Sequence, residues 1–143
     1  MRETMQNTAK ILEELQLCDD FKTFYDENKT YMVSRTLAEQ LCEFADASGR
    51  TKAEIIRGSE LSEVYGYQIF SGSRLPERKK LLCLALSMEL TLDQVQTVLR
   101  TAGYAPLYVK IPGDSVVIYG ICKKMTVSEV NTMLFRYNCE TLG

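Results

Sequence analysis

Residues 51–72 read Thr51-Lys52-Ala53-Glu54-Ile55-Ile56-Arg57-Gly58-Ser59-Glu60-Leu61-Ser62-Glu63-Val64-Tyr65-Gly66-Tyr67-Gln68-Ile69-Phe70-Ser71-Gly72. Thr51 followed by Glu54 is the pattern of a capping box, in which the hydroxyl accepts from the third helical amide and the carboxylate reaches back to the cap amide. Ile55 and Ile56 supply the apolar side of the two-turn helix that follows. Gly58-Ser59-Glu60-Leu61 reads as a turn. Ser62 then caps a second short helix through Phe70, and Ser71-Gly72 closes it. Such helices bury their apolar positions when they cross steeply, which turns Leu61 and Ile69 to the core. The second helix then projects its first residues outward, where they can enter a DNA major groove.

Helical spacing continues in both directions. Leu37, Leu41, Phe44 and Ala45 predict a helix ending near Ser48-Gly49, with glycine just past the last apolar residue. Ile11, Leu12, Leu15 and Leu17 mark an amphipathic stretch over about residues 4–17. Asp19-Asp20 open a short helix bearing Phe21, Phe24 and Tyr25, and Asn28-Lys29-Thr30 reads as a break. Downstream, Thr91-Leu92-Asp93-Gln94-Val95-Gln96-Thr97-Val98-Leu99 matches Thr126-Val127-Ser128-Glu129-Val130-Asn131-Thr132-Met133-Leu134 at an offset of 35 residues. Leu82, Ala85, Leu86 and Leu107 fall opposite Val117, Gly120, Ile121 and Leu142. Two copies are too few for a solenoid, and the repeat reads as similar helix pairs that pack alike, which predicts one helical pair stacked on another. Pro76, Pro106 and Pro112 all fall at loops or first turns. Only Tyr108-Val109-Lys110-Ile111 reads as extended, a link between helices. The predicted class is all-α: an N-terminal helical extension over 1–33, a helix-turn-helix bundle over 34–107, and a C-terminal helical pair over 108–143.

Composition narrows the function. The chain has 143 residues, 17 basic and 19 acidic side chains, no histidine and five cysteines. Without histidine the commonest general base and the commonest metal ligand are both missing. The cysteines never form Cys-x-x-Cys and read as small buried hydrophobes in a reducing compartment, which points to the cytoplasm. No apolar run is long enough for a membrane span, and Met1 to Gln6 lack the apolar core of a secretory signal. There is no glycine-rich phosphate loop, nucleophile elbow, calcium loop or glycosidase acid pair. The expectation is a non-enzyme with no metal and no cofactor. Residues 1–33 carry net charge −3, residues 34–100 are neutral, and residues 101–143 carry +1.

From about Leu37 to Leu99 the chain resembles the Cro/repressor-type (xenobiotic-response-element, lambda-repressor-like) helix-turn-helix family of bacterial transcriptional regulators. The resemblance rests on Thr-x-x-Glu opening one helix, Leu-Ser opening the next, Ile-x-x-Gly, and the x-Arg-x-Pro link Ser73-Arg74-Leu75-Pro76. Closing helices like the family's follow over Lys80–Leu86 and Leu90–Gln94. Within the family, small regulators carrying Tyr-Gly-Tyr-Gln-Ile-Phe-Ser-Gly and Ala-Gly-Tyr-Ala-Pro-Leu-Tyr are similar at Tyr65–Gly72 and Ala102–Tyr108. The resemblance implies sequence-specific binding of double-stranded DNA, often as a homodimer, with the helix at 62–70 reading bases. By position, Glu63, Val64 and Gln68 would face base edges, while Lys52, Ser62, Ser71, Ser73 and Arg74 would meet phosphates.

Elementary chemistry supports part of this: glutamine can pair bidentately with adenine, and lysine with helix N-termini suits phosphate. Glu60 takes the turn position where the family carries glycine, a residue free to adopt positive φ. Gly66 replaces a small apolar residue and is expected to let Tyr65 or Tyr67 pack closely. Arg78-Lys79-Lys80 reads as a solvated helix start or a phosphate clamp, and together with Arg74 as a counterweight to the Glu60 and Glu63 carboxylates. Tyr65, Tyr67, Tyr104 and Tyr108 read as inter-helix packing or base stacking, and Met125 and Met133 as core filler. A second function fits the same residues: an adaptor on this fold whose acidic face has lost DNA and whose N- or C-terminal helices meet a protein partner.

Overall fold

The structure, a computed structural model, describes residues 8–28 and 36–143. Among them every regular element is a helix: α1 (Thr8–Leu17), α2 (Phe21–Asn28), α3 (Leu37–Ser48), α4 (Lys52–Ser59), α5 (Glu63–Ser71), α6 (Arg78–Ser87), α7 (Leu92–Thr101), α8 (Pro112–Cys122) and α9 (Val127–Arg136). The chain divides into two compact units, Met1–Ser34 and Arg35–Gly143. The fold is all-α. The start expected near residue 4 and the rest of the break after Asn28 lie outside the described residues.

In the first unit α1 packs against α2. The Asp20 carboxylate accepts from the hydroxyl and amide of Thr23. Those two bonds, the hydroxyl's first, hold the acid below the usual carboxylate range. Phe21 lies against Phe24 and Tyr25, with ring centroids 6.0 and 6.1 Å apart.

In the second unit four helices begin with a complete capping box: Thr36 with Glu39, Thr51 with Glu54, Thr91 with Gln94 and Thr126 with Glu129. Each satisfies two amides that would otherwise be orphaned at the helix start. α3 packs on α5 and α7, α4 on α5 and α6, and α6 on α7. Leu41, Ile55, Ile69, Leu81, Leu84, Val95, Val98 and Leu99 are fully buried at their centre. The two-turn α4 runs through Ser59, so the connection to α5 is Glu60 to Ser62 and not Gly58 to Leu61. Gly58 lies inside α4, and its lack of a Cβ lets α6 lie close: a Cβ there would stand 2.5 Å from Ser87 Oγ.

The 35-residue repeat is structural down to single atoms. Glu89 and Lys124, at matching positions, both take positive φ (54° and 56°), as do Gly103 and Asn138 (85° and 61°). The side-chain oxygen of Gln96 accepts from the Leu107 amide at 2.8 Å, and that of Asn131 accepts from the Leu142 amide at 2.7 Å. Both leucines are thereby drawn into the core. α6 packs on α9 and α7 on α8, a pattern unchanged when the two pairs are exchanged. Between them, Tyr108 to Ile111 is not simply extended: the Ile111 amide donates to the Tyr108 carbonyl and closes a turn.

Arg78 does neither of the things its sequence neighbourhood suggests. Its guanidinium forms a two-pronged pair with Asp114 (3.3 and 3.2 Å) and donates to the carbonyls of Ala105 and Pro106. Asp114 also accepts from the Tyr108 amide at 2.9 Å. Lys79 pairs with Glu140 at 2.8 Å. These two cations are therefore paired within the second unit, Arg78 largely out of solvent and Lys79 at the surface, and do not offset Glu60 and Glu63.

Candidate functional site

α5 is held from behind and open in front. Ile69 and Phe70 enter the core on one side, while Glu63, Val64, Tyr67, Gln68 and Ser71 line a shallow depression of about 530 Å³ on the other. Gly66 explains how α5 sits so near α4: a Cβ there would fall 2.6 Å from two carbons of Ile56. The space gained belongs to Ile56, not to Tyr65 or Tyr67, because residue 66 faces inward and the tyrosines flank it.

The structure groups the residues expected to meet DNA around α5. Glu63 and Val64 are exposed on its first turn, and Glu63 sits where the helix dipole favours a carboxylate, by about 0.3–1 kcal/mol. Ser62 is the N-cap, its Oγ accepting from the Tyr65 amide at 3.2 Å. Gln68 is half-buried at the far end, and its Oε1 accepts from Arg74 Nε at 3.1 Å. The Arg74 guanidinium also lies 5.5 Å from the centre of the Tyr65 ring. Lys52 reaches from the start of α4 to the Phe70 ring, its Nζ 5.6 Å from the centroid. Both cations thus stand at fixed places beside α5, each on an aromatic face that attracts it. Sequence reasoning did not single out Tyr65 and Phe70 as the rings that seat these two cations. No spacing rule links them to Arg74 and Lys52, since the route of the chain after Gly72 makes the first pairing and helix packing the second.

Ser71 and Ser73 are less free. Ser71 Oγ donates to the Gln68 carbonyl at 3.1 Å and lies 3.2 Å from Ser73 Oγ. The same carbonyl also receives the amides of Ser73 and Arg74. These hydroxyls finish the last turn of α5. Glu54, in its box at the start of α4, is held below the usual carboxylate range, chiefly by the Thr51 amide and hydroxyl, with Arg57 and Arg50 adding to it.

Glu60 adopts the left-handed backbone expected of its turn position, φ 65°, and is exposed. A side chain there costs roughly 1–2 kcal/mol of strain, and glycine would remove it while gaining some unfolded-state freedom. Glu60→Gly should therefore raise stability by about 0.5–1 kcal/mol in urea unfolding. A lower midpoint would mean that the carboxylate makes a compensating contact.

Among the described residues no three side chains of histidine, cysteine, aspartate or glutamate cluster as a metal would require. No helix there is long and apolar enough to cross a membrane. All five cysteines are free, and burial pushes the Cys83 thiol up to about 11, with Lys80 opposing the shift weakly. Comparisons of the chain with protein-family models, with curated proteins and with solved structures find no match.

Proposed function

We propose that the chain is a sequence-specific, double-stranded-DNA-binding transcriptional regulator of the helix-turn-helix type, with α5 as the helix that enters the major groove. The observation that carries this reading is the pre-set Gln68–Arg74–Tyr65 group beside an open helix face. A guanidinium held at the end of α5 suits a phosphate, and the Gln68 NH2, not engaged by that bond, points the reading toward a base edge. Lys52 on the Phe70 ring supplies a second phosphate contact. Glu63 fits as an acceptor from cytosine N4, and the Val64 methyls fit a thymine methyl. The protein acts in the cytoplasm without chemistry of its own. As a homodimer it would place its two α5 helices about 34 Å apart on a palindromic site.

The test is capture of fragmented genomic DNA by the purified protein at about 50 mM and about 200 mM salt. A few fragments sharing a motif are expected, with Gln68→Ala weakening that motif by roughly tenfold and random DNA hardly at all. Equal losses on both would remove Gln68 from base reading. No enrichment at either salt would favour the adaptor reading, for which one observation speaks directly. Val64 is 68% exposed in the depression that it lines with Glu63 and Tyr67, a surface that also suits a protein partner.

A further inference from the structure

The internal repeat allows one helix to be judged by its twin. On α6 the stripe Leu81, Leu84 and Met88 is buried, and α4 is packed along that helix, with Ser87 Oγ donating to the Ile55 carbonyl. The matching positions on α8, 35 residues on, are Val116, Tyr119, Lys123 and, for Ser87, Cys122. Among the described residues of the second unit, α8 packs on α7 and α9 and no helix lies along it as α4 lies along α6. Val116 is half-buried, Tyr119 is 48% exposed, and Cys122 and Lys123 are exposed. Lys123 Nζ stands 5.7 Å from the centre of the Tyr119 ring. The fold thus builds a face that takes a short helix in one copy and leaves it open in the other.

Charge says what kind of helix fits. In this C-terminal half Asp114 is paired with Arg78, Glu140 with Lys79, and Glu129 is engaged in its capping box. Lys123, on the stripe itself, makes no ion pair with a described carboxylate; nor do Lys110, Lys124 and Arg136 elsewhere in this half, of which Lys124 lines a depression shared with Glu54 and Glu89. We propose that the Val116–Tyr119–Lys123 stripe of α8 is a docking surface for an acidic amphipathic helix of a partner protein, which lies on α8 as α4 lies on α6. A second copy using the same stripe fits less well. Antiparallel pairing sets Lys123 against the positive end of the partner's α8, and parallel pairing sets lysine against lysine.

The probe is a fluorescent, stapled helical peptide of about four turns, with leucine at every third or fourth position and glutamate on both flanks. Its binding to the full chain is read by anisotropy at about 50 mM salt. Saturable binding is expected, weakened about tenfold by Tyr119→Ser and about fivefold by Lys123→Glu, with a lysine-flanked peptide failing to bind. Both substitutions are at exposed positions, and circular dichroism checks that each variant is folded. Absence of binding, or binding indifferent to both substitutions, overturns the proposal. Self-association abolished by Tyr119→Ser overturns it in favour of a second copy. Competition by anionic vesicles or single-stranded DNA, with the same variant dependence, overturns it in favour of those ligands.

Discussion

Asp114→Ala should cost the second unit about 2–4 kcal/mol, a fall of roughly 10 °C in Tm. Three elements meet on this one carboxylate: α6 through Arg78, the link between the repeats through the Tyr108 amide, and α8, which carries it. Its side chain is 11% exposed and that of Arg78 is 30% exposed. Water can therefore replace only part of what is lost, and the partial exposure of the guanidinium keeps the effect short of a fully buried pair. The amide of Tyr108 loses its acceptor as well. Arg78→Ala should cost a similar amount, because it strands the carboxylate. The double variant should cost clearly less than the sum, since each single change already breaks the shared pair. Thermal unfolding of the three variants decides it. A loss below about 1 kcal/mol for Asp114→Ala would show the pair to be no stronger than a surface one.

Gly66→Ala reverses the usual expectation for a helix interior. Alanine is the better helix former by about 1 kcal/mol, yet here the substitution should destabilise by about 1–3 kcal/mol, because three carbons of Ile56 occupy the space its methyl needs. Ile56 lies in the core with 3% exposure, so it cannot swing into solvent. Ile56→Ala alone should cost about 2–5 kcal/mol through the cavity it leaves. In that background Gly66→Ala becomes neutral or stabilising, as the added methyl fills part of the void. Urea unfolding of the four proteins completes the cycle. A simple gain in stability for Gly66→Ala would mean that α4 and α5 separate without penalty.

The two effects mark where a sequence is readable and where it is not. Capping boxes are legible because donor and acceptor lie three residues apart: Thr51, Thr91 and Thr126 open helices as their spacing dictates. The repeat is legible for the same reason, since copies of a local pattern fold locally. Arg78 and Asp114 lie 36 residues apart, and nothing short-range distinguishes Arg78 from its neighbours Lys79 and Lys80, which make no ion pair with that carboxylate. The same holds at the proposed DNA face. Glu63, Val64 and Gln68 follow from the position of α5, whereas the rings that seat Lys52 and Arg74 depend on tertiary packing. Gly66 stood out as an anomaly within its helix, but its reason lies on another one.

The Arg78–Asp114 junction also bears on how this unit comes apart. Arg78 holds the carbonyls of Ala105 and Pro106 while Asp114 holds the Tyr108 amide, so the segment joining the repeats is fastened from both sides. The C-terminal pair cannot swing away as a hinged flap without stripping the first pair of its buried counter-ion. Opening at that seam therefore approaches the cost of unfolding the whole unit. Two helical pairs that could have behaved as separable modules are made into one cooperative body, and movement is left to surfaces outside the seam.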